Sequence, residues 1–200
     1  MVAETTLISV EEYLRTSFKP ACDYIDGVLR QKPMPTYDHS NTELVVCNLI
    51  NRFDGFRAVP EQTVRIRQGK FVVPDIAAQR LSELQRPYPE KPVYLCAEVK
   101  SPEDRFSDIV AKCGEYHAWG VKYCWIFDPE SKRCWQYDSG GRPNEVPVDG
   151  HLEAGPIILS HADIFESVRG GRRLRWRRSS GERRLRVRKR SGRGIGPPFR

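Results

Sequence analysis

The chain predicts an α/β domain in which helices pack against a mixed β-sheet, with a short helix and a hairpin at its N-terminal end. Three observations carry that expectation. Apolar residues recur at helical spacing through Leu44, Val45, Cys47, Leu49, Ile50 and Phe53. Three extended, largely apolar segments follow between 57 and 100. A second helical stretch then leads into another apolar strand, so the central order is helix, three strands, helix, strand. Two hundred residues suffice for one domain with a substantial core and at most an appendage.

Each element has a local reason. Ser9-Val10-Glu11-Glu12 has the form of a capping box and starts a short helix through Leu14. Asp23 to Gln31 reads as a hairpin turning at Asp26-Gly27, a dipeptide suited to the positive φ of a tight turn. The helical spacing predicts a helix over 38–54 that ends at Gly55, with His39 near its start as a cap, a solvent-facing residue or a site residue. Extended segments are expected at about 57–67, 71–79 and 92–100, with Gly69-Lys70 as a turn between the first two. Ser101-Pro102 opens a helix over about 103–118. Tyr123 to Asp128 pairs as a strand with Arg133 to Asp138 across Pro129-Glu130-Ser131. Loops and short strands fill 139–160, and Ala162 to Val168 forms a last short helix or turn.

Charge divides the chain. Fourteen of its 33 Lys and Arg fall in residues 169–200 beside a single acid, Glu182, so this stretch carries +13 and residues 1–168 carry −6. Arg-rich and poor in aliphatic residues, the 169–200 segment is expected to be a disordered basic tail following a folded domain at 1–168. It reads either as an arm drawn to nucleic-acid phosphates or as a segment with no selected role. No run of about 18 apolar residues predicts a membrane span, and the N-terminal stretch lacks the pattern of a signal peptide. Six cysteines form no Cys-x-x-Cys pair and several sit in apolar runs, which reads as reduced, buried thiols in a cytoplasmic protein. Gly-x-Ser-x-Gly, phosphate-loop and His-Glu-x-x-His patterns are missing, which gives serine hydrolysis, nucleotide-triphosphate cleavage and zinc proteolysis little support.

The chemistry concentrates in two places. Asp75 stands among Phe71, Val72, Val73, Ile76, Ala77 and Ala78, where a carboxylate needs a partner. Glu98 and Lys100 are two apart in an apolar strand, so their side chains share a face. If Asp75 lies on the neighbouring strand the three converge, and two hard oxygen ligands beside an ammonium can hold a divalent cation near a phosphodiester. The blander account is a solvated Asp75 and an ion pair of Glu98 and Lys100 on a sheet surface.

Pro74-Asp75 with Glu98-Val99-Lys100 resembles the PD-(D/E)XK nuclease signature. Flanking pieces narrow the resemblance to the Uma2 family (DUF820) of restriction endonuclease-like proteins. They are Ile8-Ser9-Val10-Glu11-Glu12-Tyr13-Leu14, Tyr24-Ile25-Asp26-Gly27, His39, Glu98 to Arg105, Lys112 with Glu115-Tyr116, Gly120-Val121, and Trp125 to Pro129. The likeness runs in the family's order from about residue 5 to residue 168. It implies a restriction-endonuclease-like fold and Mg²⁺- or Mn²⁺-dependent hydrolysis of DNA. Asp75, Glu98 and Lys100 would be the catalytic residues, the two acids as metal ligands, with Lys100 either base or electrostatic group. Asp23, where the family has the longer Glu, joins His39 and Lys112 as an accessory candidate. Lys112 is equally placed for an i,i+4 pair with Asp108 or for a helical face turned to the site. Cutting both strands with one site per chain would imply a homodimer. A rival reading, favoured by the acidic body, is a non-catalytic DNA-binding or regulatory module that keeps the fold.

Overall fold

The Ser9 hydroxyl accepts a hydrogen bond from the Glu12 N–H (3.0 Å) and starts α1 (Val10–Arg15). This computed structural model describes residues 7–138 and 140–168; the basic segment 169–200 lies outside the described residues. Asp26 and Gly27 both take positive φ, 49° and 93°, and close the hairpin of β1 (Cys22–Ile25) and β2 (Val28–Gln31) as the dipeptide predicts.

The long helix α2 spans Tyr37–Ile50. Its cap is Thr36, whose side chain accepts from the His39 N–H at 3.2 Å; His39 itself is buried, so it neither caps the helix nor faces solvent. The helix stops short of residue 54 because Asn51 leaves it to bracket Ala58. The Asn51 amide donates to Ala58 O at 3.1 Å and accepts from Ala58 N–H at 2.7 Å. Ala58 lies on β3 (Phe56–Pro60), an edge strand of its sheet, so this side chain supplies bonds that a further strand would supply. Replacing Asn51 with Ala should cost on the order of 2 kcal/mol in a urea melt, because two backbone groups lose their partner. An unchanged midpoint would show that water replaces the amide freely.

Two of the expected extended segments are each broken in the middle. The first divides at Glu61, which takes φ 47°, into β3 and β4 (Val64–Arg67). The second divides at Val73-Pro74-Asp75 into β5 (Lys70–Val72) and β6 (Ile76–Arg80), where Pro74 has no N–H for a ladder. The halves belong to different sheets. Strands β4 and β5 join the hairpin in a four-stranded sheet of order β2-β1-β5-β4. The remaining strands are β7 (Leu95–Val99), β8 (Tyr123–Asp128), β9 (Arg133–Tyr137) and β10 (Pro143–Glu145). With β3 and β6 they form a six-stranded sheet, β10-β9-β8-β7-β6-β3, in which β7 and β8 are parallel and the other neighbours antiparallel. The chain therefore crosses directly from strand to strand between the two sheets at each of these breaks, and Asp75 sits at the β5–β6 crossing.

Strand alternation sends β7 to both layers. Leu95, Ala97 and Val99 pack with Val46, Leu49 and Ile50 of α2, and with the hairpin β11 (His151–Ala154) and β12 (Ile157–Ser160) and helix α4 (His161–Val168). Cys96 faces Ile109, Cys113 and Tyr116 of α3 (Phe106–Trp119) in the opposite layer. Trp125 and Trp135 are buried and Trp119 packs against the core, as aromatics of a sheet interior do. All six cysteines are buried and unpaired. Among the described residues no helix is long and apolar enough to cross a membrane.

Candidate active site

The sheet crossing and strand β7 bring the two expected acids together. Ile76 stands opposite Ala97 in the antiparallel register of β6 and β7, and extending that register by one residue sets Asp75 across from Glu98. Both carboxylates line one pocket of about 170 Å³, whose wall also holds Asp23, Lys32, His39, Ser101, Asp108 and Lys112. Asp75 is 2% exposed and Glu98 5%.

Neither acid is unpaired. Asp75 Oδ2 accepts from the Val99 N–H at 2.7 Å, while the Lys32 ammonium donates to Oδ1. Glu98 Oε2 accepts from Lys112 Nζ at 3.0 Å, and the Tyr116 hydroxyl donates to Oε1 at 2.5 Å. Both ammoniums also reach Val73 O, Lys32 at 3.2 Å and Lys112 at 3.3 Å, which ties them to the Pro74 break. Asp23 accepts from Val73 N–H at 2.7 Å and lies 3.9 Å from Lys112. Buried charge without such partners is costly, so this lattice of ion pairs is what lets the acids occupy the core.

The charges divide unequally. Burial raises the Glu98 carboxyl to about 7; Lys112 opposes the rise and Asp75 adds to it. Burial pushes Asp75 up as well, but Lys32, Lys112 and His39 together outweigh it and hold this carboxyl below its ordinary range. Burial pulls Lys32 and Lys112 down, and their carboxylates more than reverse it, so both stay protonated. A Glu98 pKa above its unfolded value of 4.5 makes folding prefer the proton. Stability from this residue is thus fully present below about 4.5 and lost as pH rises through about 7. In chelator, the wild-type protein should lose on the order of 3 kcal/mol across that window relative to Glu98→Gln. Parallel pH curves for the two proteins would contradict this.

The sequence candidates separate by position. Asp75, Glu98, Asp23, His39 and Lys112 all line the pocket, whereas Lys100 does not. Lys100 lies one residue beyond β7 and continues the pairing with β8 through its N–H, which donates to Phe127 O at 2.8 Å. Lys112 pairs with Glu98 rather than with Asp108. Lys32 and Glu43 enter the site without having been singled out for it, whereas Tyr116 enters on the helical face it shares with Lys112. Nothing local marks Lys32. Glu43 was legible in principle, since i,i+4 spacing sets it on the same helical face as His39. His117 and Cys113 play no part here; the His117 ring bonds Val121 O (2.8 Å) and Tyr137 O (3.1 Å).

The profile of the Uma2 family, described as "Putative restriction endonuclease", matches residues 10–166. No curated protein matches the chain. Among solved structures, "a putative nuclease belonging to DUF820" from Anabaena variabilis ATCC 29413 superposes with a TM-score of 0.70 at 22% identity, covering 80% of this chain and 99% of that one. That likeness shows the fold: a mixed α/β architecture shared with a nuclease-fold protein. The DrdV–DNA complex aligns with a TM-score of 0.35 at 16% identity over 52% of this chain and 9% of the other, a likeness too slight to carry an argument.

Proposed function

Because the chain belongs to the Uma2 family, described as "Putative restriction endonuclease", we propose that it hydrolyses DNA phosphodiester bonds with a divalent ion, Mg²⁺ or Mn²⁺, held by Asp75 and Glu98. The supporting observation is the facing pair of buried carboxylates in one open pocket beside two ammoniums. Hard carboxylate oxygens of this kind suit either ion. When bound, such an ion supplies polarisation of the scissile phosphate and a water of lowered pKa.

The chain's own groups have distinct tasks. Val99 N–H fixes the Asp75 carboxylate, and Tyr116 and Lys112 fix that of Glu98. Lys112 favours the anionic form of a carboxyl whose pKa lies at about 7, and so keeps it ready to ligate near neutral pH. Held protonated, Lys32 and Lys112 act as donors and not as bases. Lys100, whose ammonium has no hydrogen bond or ion pair among the described residues, is assigned the charge building on the phosphate. DNA is the partner, the basic 169–200 segment adding phosphate contacts, with a homodimer cutting both strands. Six unpaired, buried thiols suit the cytoplasm.

One observation favours a second reading: every carboxylate oxygen of Asp75 and Glu98 already has a protein donor, so the pocket is satisfied without a metal. That would suit a module that binds DNA and does not cut it. Incubation of the full-length protein with DNA, RNA and a small phosphodiester, with Mg²⁺, Mn²⁺ or chelator, decides between them. Metal-dependent cleavage of DNA is the expected result. DNA binding with no cleavage under any metal would favour the second reading. Undiminished cleavage by Lys100→Met would move its role to Lys112.

A further inference from the structure

Helix α2 brings two side chains, His39 and Glu43, close to Asp75. His39 Nε2 lies 3.6 Å from Glu43 Oε1 and 3.7 Å from Asp75 Oδ2. These three ligand atoms all fall within 4.8 Å of one another, and all three residues are buried. The separations are too long for hydrogen bonds. They approach the spacing of about 3.4 Å between ligands set tetrahedrally about an ion at about 2.1 Å. Glu43 Oε1 is buried and has no hydrogen-bond partner, in a residue only 7% exposed.

From this geometry we propose that His39, Glu43 and Asp75 form a second cation site, preformed in the free protein, which takes a first-row transition ion such as Mn²⁺ or Co²⁺ in preference to Mg²⁺. The imidazole nitrogen sets the preference, since Mg²⁺ favours oxygen ligands alone. Ser101 Oγ lies 3.1 Å from His39 Nδ1. A hydrogen on Nδ1 directed at that hydroxyl leaves the Nε2 lone pair facing the two carboxylates, the usual outer support of a metal-bound histidine. Both oxygens of Glu98 are engaged by Lys112 and Tyr116, whereas Glu43 Oε1 is free to ligate. The α2 site therefore fills first, and an ion between Asp75 and Glu98 enters with the added negative charge of a DNA phosphate. This order of loading rests on the nuclease reading above; the α2 site itself does not.

Calorimetric and visible-absorption titration of the chelator-stripped, full-length protein with Co²⁺, without DNA, tests the site. One ion per chain is expected, with affinity reduced at least about tenfold in Glu43→Gln and His39→Gln and changed less than about twofold in Glu98→Gln. A single ion lost in Glu98→Gln and kept in Glu43→Gln would overturn the inference while leaving the Asp75–Glu98 pair standing. Binding of no ion at all would also overturn it. Glu43→Gln has no hydrogen bond at Oε1 to lose and should melt in chelator close to wild type. Should either variant fail to fold, Co²⁺ broadening of ring resonances in the wild-type protein gives the answer. Broadening centred on His39 supports the site; broadening centred on another of the four histidines overturns it.

Discussion

Asparagine in place of Asp75 should lower Mg²⁺-dependent cleavage of DNA by about 10³-fold, equivalent to about 4 kcal/mol of activation free energy, and leave the fold intact. The substitution keeps the side chain's shape and one acceptor but removes the charge a hard cation requires. Its structural cost is bounded by what Asp75 holds. Val99 N–H can still donate to the amide oxygen, while Lys32 loses its counter-ion and falls back on Val73 O. Lys32 is partly accessible at 13% of its side chain, so water can share the burden, and a loss of about 1–3 kcal/mol in a urea melt is expected. Glu98→Gln should match the catalytic loss. If both variants keep cleaving at wild-type rates in purified form, the two carboxylates do not hold the ion.

Methionine at position 112 should produce the largest change in stability. Among the described residues Lys112 is the one cation bonded directly to Glu98, and removing it leaves a carboxyl at 5% exposure with Tyr116 alone. Breaking one side of a buried pair costs about 3–5 kcal/mol when the survivor stays charged. The cost should depend on pH. Without Lys112 the Glu98 pKa rises further above its unfolded value of 4.5, so the folded protein holds a proton that the unfolded chain releases. At pH 8 the full loss is expected; near pH 5, where Glu98 is neutral either way, most of it should disappear. Combining Lys112→Met with Glu98→Gln should restore much of the stability at pH 8, since neither partner is then left charged. Equal losses at both pH values would mean that packing of the lysine stem, and not the pair, carries the effect.

Where a signal lay within a few residues, the sequence reading and the structure agree. The Ser9 cap, the Asp26-Gly27 turn and the strand from Tyr123 depend on local hydrogen bonds and backbone preferences, whereas the helix expected from about 103 starts only at Phe106, with no side-chain cap to fix its first turn. The reading failed where a segment that looks continuous serves two sheets. Residues 57–67 and 71–79 each alternate or stay apolar throughout, yet Glu61 and Pro74 break them. Periodicity reports which residues are buried, not against which partner strand.

The candidate site shows the same division more sharply. Sequence alone determined that Asp75 and Glu98 stand in apolar runs, where a carboxylate needs a partner if it is buried; that both are in fact buried, and not solvated, came from the structure. Only the tertiary structure decided which cations meet them. Lys112 could satisfy Asp108 by helical spacing or Glu98 by packing, and the seating of α3 on β7 selects Glu98. Lys32 arrives from the hairpin, 43 residues before Asp75, and no local pattern encodes that approach. Lys100 shares a strand with Glu98 in sequence but falls one residue past its end, outside the pocket. Charge pairing acts over a few ångströms in space, whereas a sequence orders residues along a chain, so partners brought together by distant elements become visible only once those elements pack.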